Sequence, residues 1–216
     1  MKALILLGAP GAGKGTVAAG LLKHERFAHV STGDMLREAV KEGRPVGLQA
    51  KSYMEKGELV PDDVILGIVR ERIERDGGRV DYLFDGFPRT IEQARRLDAV
   101  LGEFQSRVNA VLLLNVAEDV LVSRLSGRRV CRACGAVYHV VNIPTKRPGI
   151  CDRCGGEVYQ RPDDNEATVR NRLVVYRRQT ESLIAYYRER GVLFDIEAGG
   201  APEATVRQIR DRIAAL

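Results

Sequence analysis

The sequence has few aromatic residues, only four cysteines, and no long run of apolar or like-charged residues. Aromatic residues make up 6 % of the chain, which argues against a protein that stacks single-stranded nucleic acid on aromatic side chains. No stretch approaches the roughly 18 apolar residues that a membrane span needs. The apolar run after Lys2 is too short for a secretory signal and leads into a glycine-rich loop. We therefore expect a cytoplasmic protein that binds neither membranes nor nucleic acid.

The composition is that of a globular protein with a mild excess of positive charge. Hydrophobic residues make up 44 % and charged residues 29 % of the 216 positions. The net charge of +5 is spread along the chain and suits an anionic small molecule such as a nucleotide. A chain of this length is expected to form one domain, with room for inserted subdomains.

Apolar segments alternate with helical patterns, which predicts an α/β fold. Strands are expected at residues 2–7, 82–84, 108–116 and 192–196, and helices at 14–24, 90–101, 118–125, 163–190 and 202–215. This alternation favours a P-loop parallel sheet with helices on both faces, built from residues 1–30, 61–126 and 165–216. Residues 31–60, helical and polar, and residues 127–164, rich in Gly, Pro and Cys, break the alternation. We expect both to be insertions at the ligand-binding edge of the sheet.

The stretch GAPGAGKGT, residues 8–16, predicts a phosphate-binding loop between the first strand and the first helix. Glycines allow backbone N–H groups to surround phosphate oxygens, and Lys14 supplies a positive charge. The pattern departs from its common form because Gly15 follows the lysine and the hydroxyl comes at Thr16. Thr16 is therefore expected to contact phosphate, while Mg²⁺ is held by nucleotide oxygens and water, with Asp85 as the nearby acid.

The four cysteines form two CxxC pairs, Cys131/Cys134 and Cys151/Cys154, separated by 16 residues. This spacing predicts a closed tetrahedral zinc site with a structural role. Disulfides and a redox dithiol are the alternatives, and the cytoplasmic expectation disfavours disulfides.

Four motifs together resemble the adenylate kinase family over essentially the whole chain. GAPGAGKGT is followed by STGDMLR at 31–37, DGFPRT at 85–90 and GRR at 127–129, in that family's order and spacing. The resemblance implies Mg-dependent phosphoryl transfer, ATP + AMP = 2 ADP, which maintains the adenine nucleotide balance. It implies a monomer in which residues 31–60 are an AMP-binding insertion and residues 127–164 a zinc-containing lid over ATP.

The same resemblance implies the residues of both nucleotide sites. The AMP-binding residues would be Thr32, Arg37, Glu58, Leu59, Val60, Gly86, Phe87, Pro88, Arg89, Gln93, Arg161 and Arg172. Gln93 is expected to hydrogen-bond the adenine edge. The ATP-binding residues would be Gly11, Ala12, Gly13, Lys14, Gly15, Thr16, Arg124, Arg128, Val137, Tyr138 and Gly200. The catalytic groups would be Lys14, Asp85, Arg89, Arg128, Arg161 and Arg172.

Some assignments also have simpler interpretations. Ser31 before Asp34 is a candidate helix N-cap, and Asp163 and Asp164 are either lid-hinge partners or a helix start. His139 has no partner at metal-ligand spacing and is expected to pack or to lie at the surface. The match around Gly200, expected to present a backbone carbonyl to the ATP adenine, is loose.

Three other functions remain open at this point. A kinase for UMP, CMP or GMP would share the loop and the arginines, and residues near Glu58 and Gln93 would distinguish it. A nucleic-acid-binding P-loop ATPase with a zinc ribbon is disfavoured by the few aromatics and the lack of a concentrated basic stripe. A non-catalytic nucleotide sensor is disfavoured by the complete set of arginines.

Overall fold

A five-stranded parallel sheet forms the centre of the protein, whose computed structural model describes residues 1–215. Its strands are β1 (Ala3–Leu7), β2 (Phe27–Ser31), β3 (Asp81–Asp85), β4 (Val108–Asn115) and β8 (Leu193–Glu197), in the order β2-β3-β1-β4-β8. Every neighbouring pair is parallel. The predicted α/β parallel sheet is confirmed, but β2 was not predicted. It lies at the edge of the sheet and only Val30 in it is buried, so it lacks a continuous apolar run.

Nine α-helices surround this sheet and pack on its two faces. They are α1 (Lys14–Leu21), α2 (Thr32–Lys41), α3 (Pro45–Lys56), α4 (Asp62–Asp76), α5 (Ile91–Glu103), α6 (Glu118–Ser126), α7 (Glu166–Val175), α8 (Ser182–Glu189) and α9 (Pro202–Ala214) within residues 1–215. Helix α4 was not predicted. None of the helices in the described part of the chain is both long and apolar enough to cross a membrane.

The position of β1 in the sheet explains why its residues are all apolar and do not alternate with polar ones. Ile5 belongs to a core on one face of the sheet with residues of α4, α5 and α8, whereas Leu4 and Leu6 belong to a second core with residues of α1 and α9. A parallel strand covered on both faces needs an apolar residue at each position. Each such fully buried side chain contributes about 1.5–3 kcal/mol.

The strand order places the end of β1 at the point where the chain changes direction across the sheet. The chain leaves β1 towards β2 and β3 on one side and later adds β4 and β8 on the other. In the register, Leu6 pairs with Asp85 and Leu7 pairs with Leu113. The glycine-rich turn and the DGFPRT turn therefore leave the same edge side by side, where ligands of open α/β sheets bind.

Residues 31–60 form the helices α2 and α3, as the helical pattern predicted. Ser31 is the N-cap of α2, and its Oγ accepts a hydrogen bond from the backbone N–H of Asp34 at 3.4 Å. Gly47 is buried and allows α3 to pack closely on α2. A Cβ at this position would overlap backbone atoms of Ala39 and Val40. The two helices are thus held together by backbone-to-backbone contact.

Residues 127–164 contain a separate antiparallel sheet in the order β6-β5-β7. Its strands are β5 (Arg128–Cys131), β6 (Val137–His139) and β7 (Val158–Tyr159). The His139 ring contacts the carbonyl of Ser123 in α6 through Nε2 at 3.1 Å, and its Nδ1 accepts from the backbone N–H groups of Val141 and Asn142. His139 therefore packs against α6, which is one of the two roles expected for it.

The single helix predicted over residues 163–190 is wrong in its start and in its continuity. Pro162–Asp164 form a 3₁₀ turn, and α7 begins only after Asn165, whose side chain caps the N–H of Thr168 at 2.9 Å. A π-helical turn, Tyr176–Thr180, then joins α7 to α8. The extended backbone of Asn165, with ψ of 151°, ends the 3₁₀ turn and separates the two aspartates from the helix.

The two helical glycines Gly47 and Gly67 provide a matched pair of substitutions. Gly47→Ala should destabilise the protein by about 1–3 kcal/mol, because its methyl group would overlap the backbone of α2. Gly67→Ala, on the exposed face of α4 with open space around it, should stabilise it by up to about 1 kcal/mol. Thermal unfolding of both variants checks this, and equal melting temperatures would contradict the described packing of α3 on α2.

Candidate functional site

The glycine-rich loop joins β1 to α1 with backbone conformations that only glycine adopts easily. Gly13, the N-cap residue of α1, has φ of 92° and makes no side-chain cap. The first N–H groups of an α-helix have no partner within the helix. At this loop they form, with the positive end of the helix dipole, a binding site for phosphate-like anions.

The Lys14 side chain folds back over this loop. Its Nζ donates hydrogen bonds to the carbonyls of Gly8 at 2.8 Å and Ala9 at 3.1 Å. Burial lowers the pKa of Lys14 from 10.5 to about 8, and the nearby Asp85 carboxylate opposes this shift. The ammonium is therefore held in a place where its charge is poorly solvated, and an added anion would stabilise it.

Asp85 lies at the end of β3 beside the same loop. The carboxylate Oδ2 is 3.6 Å from the position that a Cβ at Gly15 would occupy, and it is also 3.6 Å from Nε2 of His29. Glycine at position 15 thus leaves space between the loop and the acid, where a hydroxyl-bearing side chain would otherwise stand. The structure brings Asp85 and the loop together, and the role of Asp85 near Mg²⁺ stays a prediction.

Two aspartates of the 3₁₀ turn hold two of the predicted arginines. Arg128 forms a bidentate pair with Asp164, at 2.7 and 2.5 Å, and Asp164 is fully buried. Arg172 Nη1 contacts Asp163 Oδ2 at 3.0 Å and Asp164 Oδ1 at 3.3 Å. The Asp163 carboxyl, desolvated by burial but surrounded by Arg172, Arg37 and other arginines, has a lowered pKa and stays ionised.

A third carboxylate, Asp34, holds Arg37 and Arg161. Its Oδ1 lies 2.7 Å from Arg37 Nη2 and 3.4 Å from Arg161 Nη2. This links α2 to the chain just before the 3₁₀ turn. Within residues 1–215 the Nε of Arg161 is buried without a hydrogen-bond partner, and burial lowers the pKa of Arg161 to about 10. Such an arginine is short of acceptors, which phosphate oxygens would supply.

Arg89 has no carboxylate partner in a hydrogen bond or ion pair among the described residues. Its Nε donates to the carbonyl of Gly86 at 2.7 Å. Burial, then the nearby Arg172, lowers the pKa of Arg89 to about 10. The structure therefore brings five arginines together around one cleft next to the Lys14 loop: Arg37, Arg89, Arg128, Arg161 and Arg172. The nearby carboxylates are too few to neutralise their charge.

A pocket between α2, the residues after α3, and the DGFPRT turn adjoins this cluster. Nine of the twelve predicted AMP-binding residues line it: Thr32, Arg37, Glu58, Leu59, Val60, Gly86, Arg89, Gln93 and Arg172. Phe87, Pro88 and Arg161 are not among the lining residues. Phe87 lies in the core and packs on Phe84 with a ring-centroid distance of 6.1 Å, so its side chain supports the pocket from behind.

Sequence reasoning missed three of the apolar residues that line the pocket. Leu36, Met54 and Ile65 also line it, together with Gly33, Gly57 and Asp163. The three apolar side chains come from three different helices, and each has the spacing of an ordinary core residue. A helical sequence pattern does not distinguish a wall of this kind from a core position, so the sequence held no signal for them.

The residues predicted around the ATP base come from α6, the small sheet and the segment after β8. Arg124 donates to the carbonyls of Ala198 and Gly199, both at 3.1 Å, so the structure brings Arg124 next to the segment with Gly200. Val137 is exposed, whereas Tyr138 is buried, with its hydroxyl 3.3 Å from Sγ of Cys151. The Tyr138 hydroxyl is thus committed to the cysteine cluster, and its predicted contact with the ATP base stays a prediction.

The four cysteines come together at one end of the small sheet. Their Sγ atoms all lie within 4.8 Å of one another, with 3.5 Å between Cys131 and Cys154 and 3.6 Å between Cys134 and Cys151. These distances are far longer than the roughly 2.05 Å of a disulfide bond. They are close to the separation of about 3.8 Å that follows from a tetrahedron with metal–sulfur bonds of about 2.3 Å.

Local backbone geometry supports this cluster. The N–H groups of Gly135 and Gly155, both at positive φ, donate to the carbonyls of Cys131 and Cys151 and close a tight turn after each pair. The Tyr138 hydroxyl, as a hydrogen-bond donor, lowers the pKa of Cys151 to about 6. The distances between the four sulfurs and these two turns fit a metal that binds four thiolates, and the same distances exclude disulfides within this structure.

Comparisons with known proteins agree with this geometry. A family model described as adenylate kinase matches residues 6–192. The chain is 48 % identical to an adenylate kinase of Geobacillus sp. (strain WCH70), over 99 % of both chains. It is 52 % identical to one of Syntrophobacter fumaroxidans, over 95 % of this chain and 97 % of that one. It is 47 % identical to one of Bacillus subtilis, over 99 % and 98 %.

The lowered pKa of Lys14 predicts proton uptake when a triphosphate binds at the loop. With a pKa of about 8 in the free protein, Lys14 is mostly neutral at pH 9 and charged at pH 7. Bound phosphates raise the pKa again, so Mg·ATP binding without an acceptor should take up close to one proton at pH 9 and almost none at pH 7. Titration calorimetry in buffers of different ionisation enthalpy measures this uptake.

Two variants serve as controls for this measurement. Lys14→Arg keeps the charge at both pH values and should lose the uptake, whereas Lys23→Met, at an exposed site, should retain it. Equal proton uptake by the native protein at pH 7 and pH 9 would contradict the assigned state of Lys14.

Proposed function

Since the chain belongs to the adenylate kinase family, and is thus an ATP:AMP phosphotransferase, we propose that the arginine-lined cleft is the place where the two nucleotides meet. The reaction is ATP + AMP = 2 ADP. The observation that carries the assignment of the site is the convergence of five arginines with the Lys14 loop at one sheet edge. The family assignment also favours phosphoryl transfer over the sensor and the nucleic-acid-dependent ATPase considered from the sequence.

ATP is proposed to bind with its phosphates on the loop from Gly11 to Thr16. The free N–H groups at the start of α1 and the Lys14 ammonium would bind the phosphate oxygens. The adenine would lie between Arg124 and the segment with Gly200, with Val137 on the lid side. The support for this placement is the contact of Arg124 with the carbonyls of Ala198 and Gly199.

Membership in a kinase family implies that Mg²⁺ accompanies ATP, and the residues of the loop fit this ion. Mg²⁺ neutralises charge on the phosphates and keeps several of its own water ligands. The space beside Gly15 and the nearby Oδ2 of Asp85 provide room and a hydrogen-bond acceptor for such waters. Asp85 is therefore proposed to orient the waters of the ion rather than to contact the transferred phosphoryl group.

AMP is proposed to occupy the pocket lined by Thr32, Gly86 and Gln93. Its phosphate would be bound by Arg37, Arg89 and Arg172, all of which line the pocket, and its base would face Gln93. Phe87 and Pro88 would act by holding this wall in place. Arg161, whose Nε lacks a partner in residues 1–215, would bind phosphate where the two nucleotides meet.

The chemistry requires no protein nucleophile. The two nucleotides are aligned for in-line transfer, and the arginines neutralise the charge that develops on the transferred group. Asp34, Asp163 and Asp164 orient four of these arginines, all except Arg89, before substrate binds. Charged groups that are already oriented do not have to reorganise during the reaction, which is how electrostatic preorganisation lowers a barrier.

Arg89→Ala tests this site against a matched control, Arg96→Ala. Arg89 is buried at the cleft, whereas Arg96 is half exposed on α5 and pairs with Asp63. Arg89→Ala should lower kcat/KM for AMP by about 10³-fold or more, since it removes charge stabilisation of the transferred group. Arg96→Ala should leave it within about twofold.

The assay is ADP formation with Mg·ATP and each of AMP, GMP, CMP and UMP, with circular dichroism as a check on folding. Near-native rates in a folded Arg89→Ala variant would refute the proposed cleft. Activity of the native protein with another monophosphate at the AMP level would refute the assignment of Gln93 to the adenine.

The cysteine cluster is proposed to hold one structural Zn²⁺ per chain. Four thiolates leave no open position for substrate or water, so the site would stabilise the fold of residues 127–164. The small core there consists of Cys131, Ala136, Tyr138, Cys151 and Val158. So small a core is insufficient to order a segment of this length unaided.

Elemental analysis and thermal unfolding test the zinc proposal together. The purified protein should contain one zinc and no iron per chain, and Cys154→Ser should lose the metal and lower the melting temperature. Because the metal is structural, Cys154→Ser should keep most of the native kcat when it is assayed at a temperature where the variant is folded. Unchanged melting on metal removal would contradict the structural role.

The domain boundaries are also proposals: a core of residues 1–30, 61–126 and 165–216, an AMP-binding unit of residues 31–60, and a lid of residues 127–164. Their support is the separate sheet of the lid and the contact of α7 with the end of α3, where Asn171 Nδ2 donates to the carbonyl of Lys56 at 2.7 Å. Closure of both units would exclude water and prevent hydrolysis of ATP. We propose further that the protein acts as a cytoplasmic monomer, because the four cysteines are arranged as a metal site rather than as disulfides and the resemblance to the family implies a monomer.

A further inference from the structure

The amide of Gln93 is held by hydrogen bonds at both of its ends. Gln93 lies in the first turn of α5 and is 2 % exposed. Its Oε1 accepts from the backbone N–H of Arg89 at 2.7 Å, and its Nε2 donates to Oδ1 of Asp62 at 2.7 Å. Asp62 is 31 residues earlier in the chain, at the start of α4.

The Asp62 carboxylate is itself fixed by Thr90. Its Oδ2 accepts from the hydroxyl of Thr90 at 3.0 Å, and that hydroxyl oxygen accepts from the backbone N–H of Gln93 at 3.1 Å. The three side chains thus close a ring between the first turns of α4 and α5. The carboxylate at the N-terminal end of α4 is favoured by the helix dipole.

This ring permits only one orientation of the Gln93 amide. A carboxylate accepts hydrogen bonds and donates none, and a backbone N–H donates only. Rotating the amide by 180° would set its oxygen against Asp62 Oδ1 and its NH₂ against the N–H of Arg89. Both hydrogen bonds of the buried Gln93 amide would then be replaced by contacts between like groups, oxygen against oxygen and N–H against N–H.

A fixed amide presents a fixed order of donor and acceptor to the pocket. What remains free is the second N–H of Nε2 and the second lone pair of Oε1. A 6-aminopurine offers a ring-nitrogen acceptor at N1 and a donor at N6, which match this order. A 6-oxopurine offers N1–H as a donor and O6 as an acceptor, which reverses it. With the phosphate held by arginines at the far end of the pocket, the base is not free to shift and compensate.

We propose that Asp62 is a positioning residue that fixes the polarity of the Gln93 amide and thereby selects a 6-aminopurine over a 6-oxopurine monophosphate. The inference rests on the proposed AMP site. Asp62 acts through Gln93 and does not touch the phosphates, so its effect is on recognition of the base and not on the transfer step.

The experiment compares kcat/KM for AMP and IMP, which differ only at N1 and the 6-substituent, in Asp62→Asn and Asp63→Asn. An amide at position 62 donates as well as accepts, so the variant loses the constraint from Asp62 and only the N–H of Arg89 still favours one orientation of the Gln93 amide. The AMP-to-IMP ratio of kcat/KM should fall at least tenfold, mainly through KM, while kcat with saturating AMP stays within a few-fold. Asp63→Asn removes the same charge from a side chain that is 88 % exposed, and its ratio should not change.

A proportional loss of activity with both substrates, or an unchanged ratio in Asp62→Asn, would overturn the inference. Asp62→Ala removes the acceptor altogether and is expected to give the same fall in the ratio. This variant provides the test if Asp62→Asn does not fold. Gln93→Leu distinguishes a failure of the proposed AMP site from a failure of the role of Asp62. An unchanged ratio in Gln93→Leu refutes the proposed base contact itself, whereas a changed ratio there with native ratios at position 62 refutes only the role of Asp62.

Discussion

Electrostatic repulsion between the phosphates of two nucleotides is the main obstacle to the reaction, and the arrangement of charged residues in this protein follows from it. The reaction brings a triphosphate and a monophosphate into near contact, and five arginines with Lys14 line the cleft that we propose for their meeting. A cluster of buried cations is costly by itself. The fold reduces that cost with Asp34, Asp163 and Asp164, each paired with arginine. The switch in strand order at β1 provides the edge where all of these segments converge.

The parts of this fold that were predictable from sequence are those where a local pattern has one structural solution. The apolar run of β1 leading into a glycine-rich loop allows little except a buried strand followed by a phosphate-binding turn. The CxxC pairs are similar, because their spacing predicts convergence of four sulfurs, which the structure confirms. Strand β2 was missed because an edge strand with one buried residue carries no such pattern.

The parts that were not predictable depend on contacts between residues that are distant in sequence. Asp62 and Asp63 are adjacent and chemically identical, yet one is bonded to Gln93 and the other is exposed. Only the packing of α4 against α5 decides which is which. Tyr138 is a second case, since its position in a strand gives no indication that its hydroxyl points to Cys151. The pocket walls Leu36, Met54 and Ile65 are a third, because each has the spacing of a core residue.

The His139 ring, which joins the small sheet to α6, restricts how this chain can evolve. The ring occupies the space beside Gly127, and a Cβ at position 127 would overlap it. A larger residue at 127 is tolerated only if position 139 changes as well, and a change at 139 alone removes the hydrogen bonds that its ring makes to the Ser123 carbonyl and to two backbone N–H groups. Neither single step is neutral, so the two positions are expected to vary together across a lineage. The contact between the small sheet and α6 is thereby expected to be inherited as a pair of residues, even where the surface of the small sheet diverges.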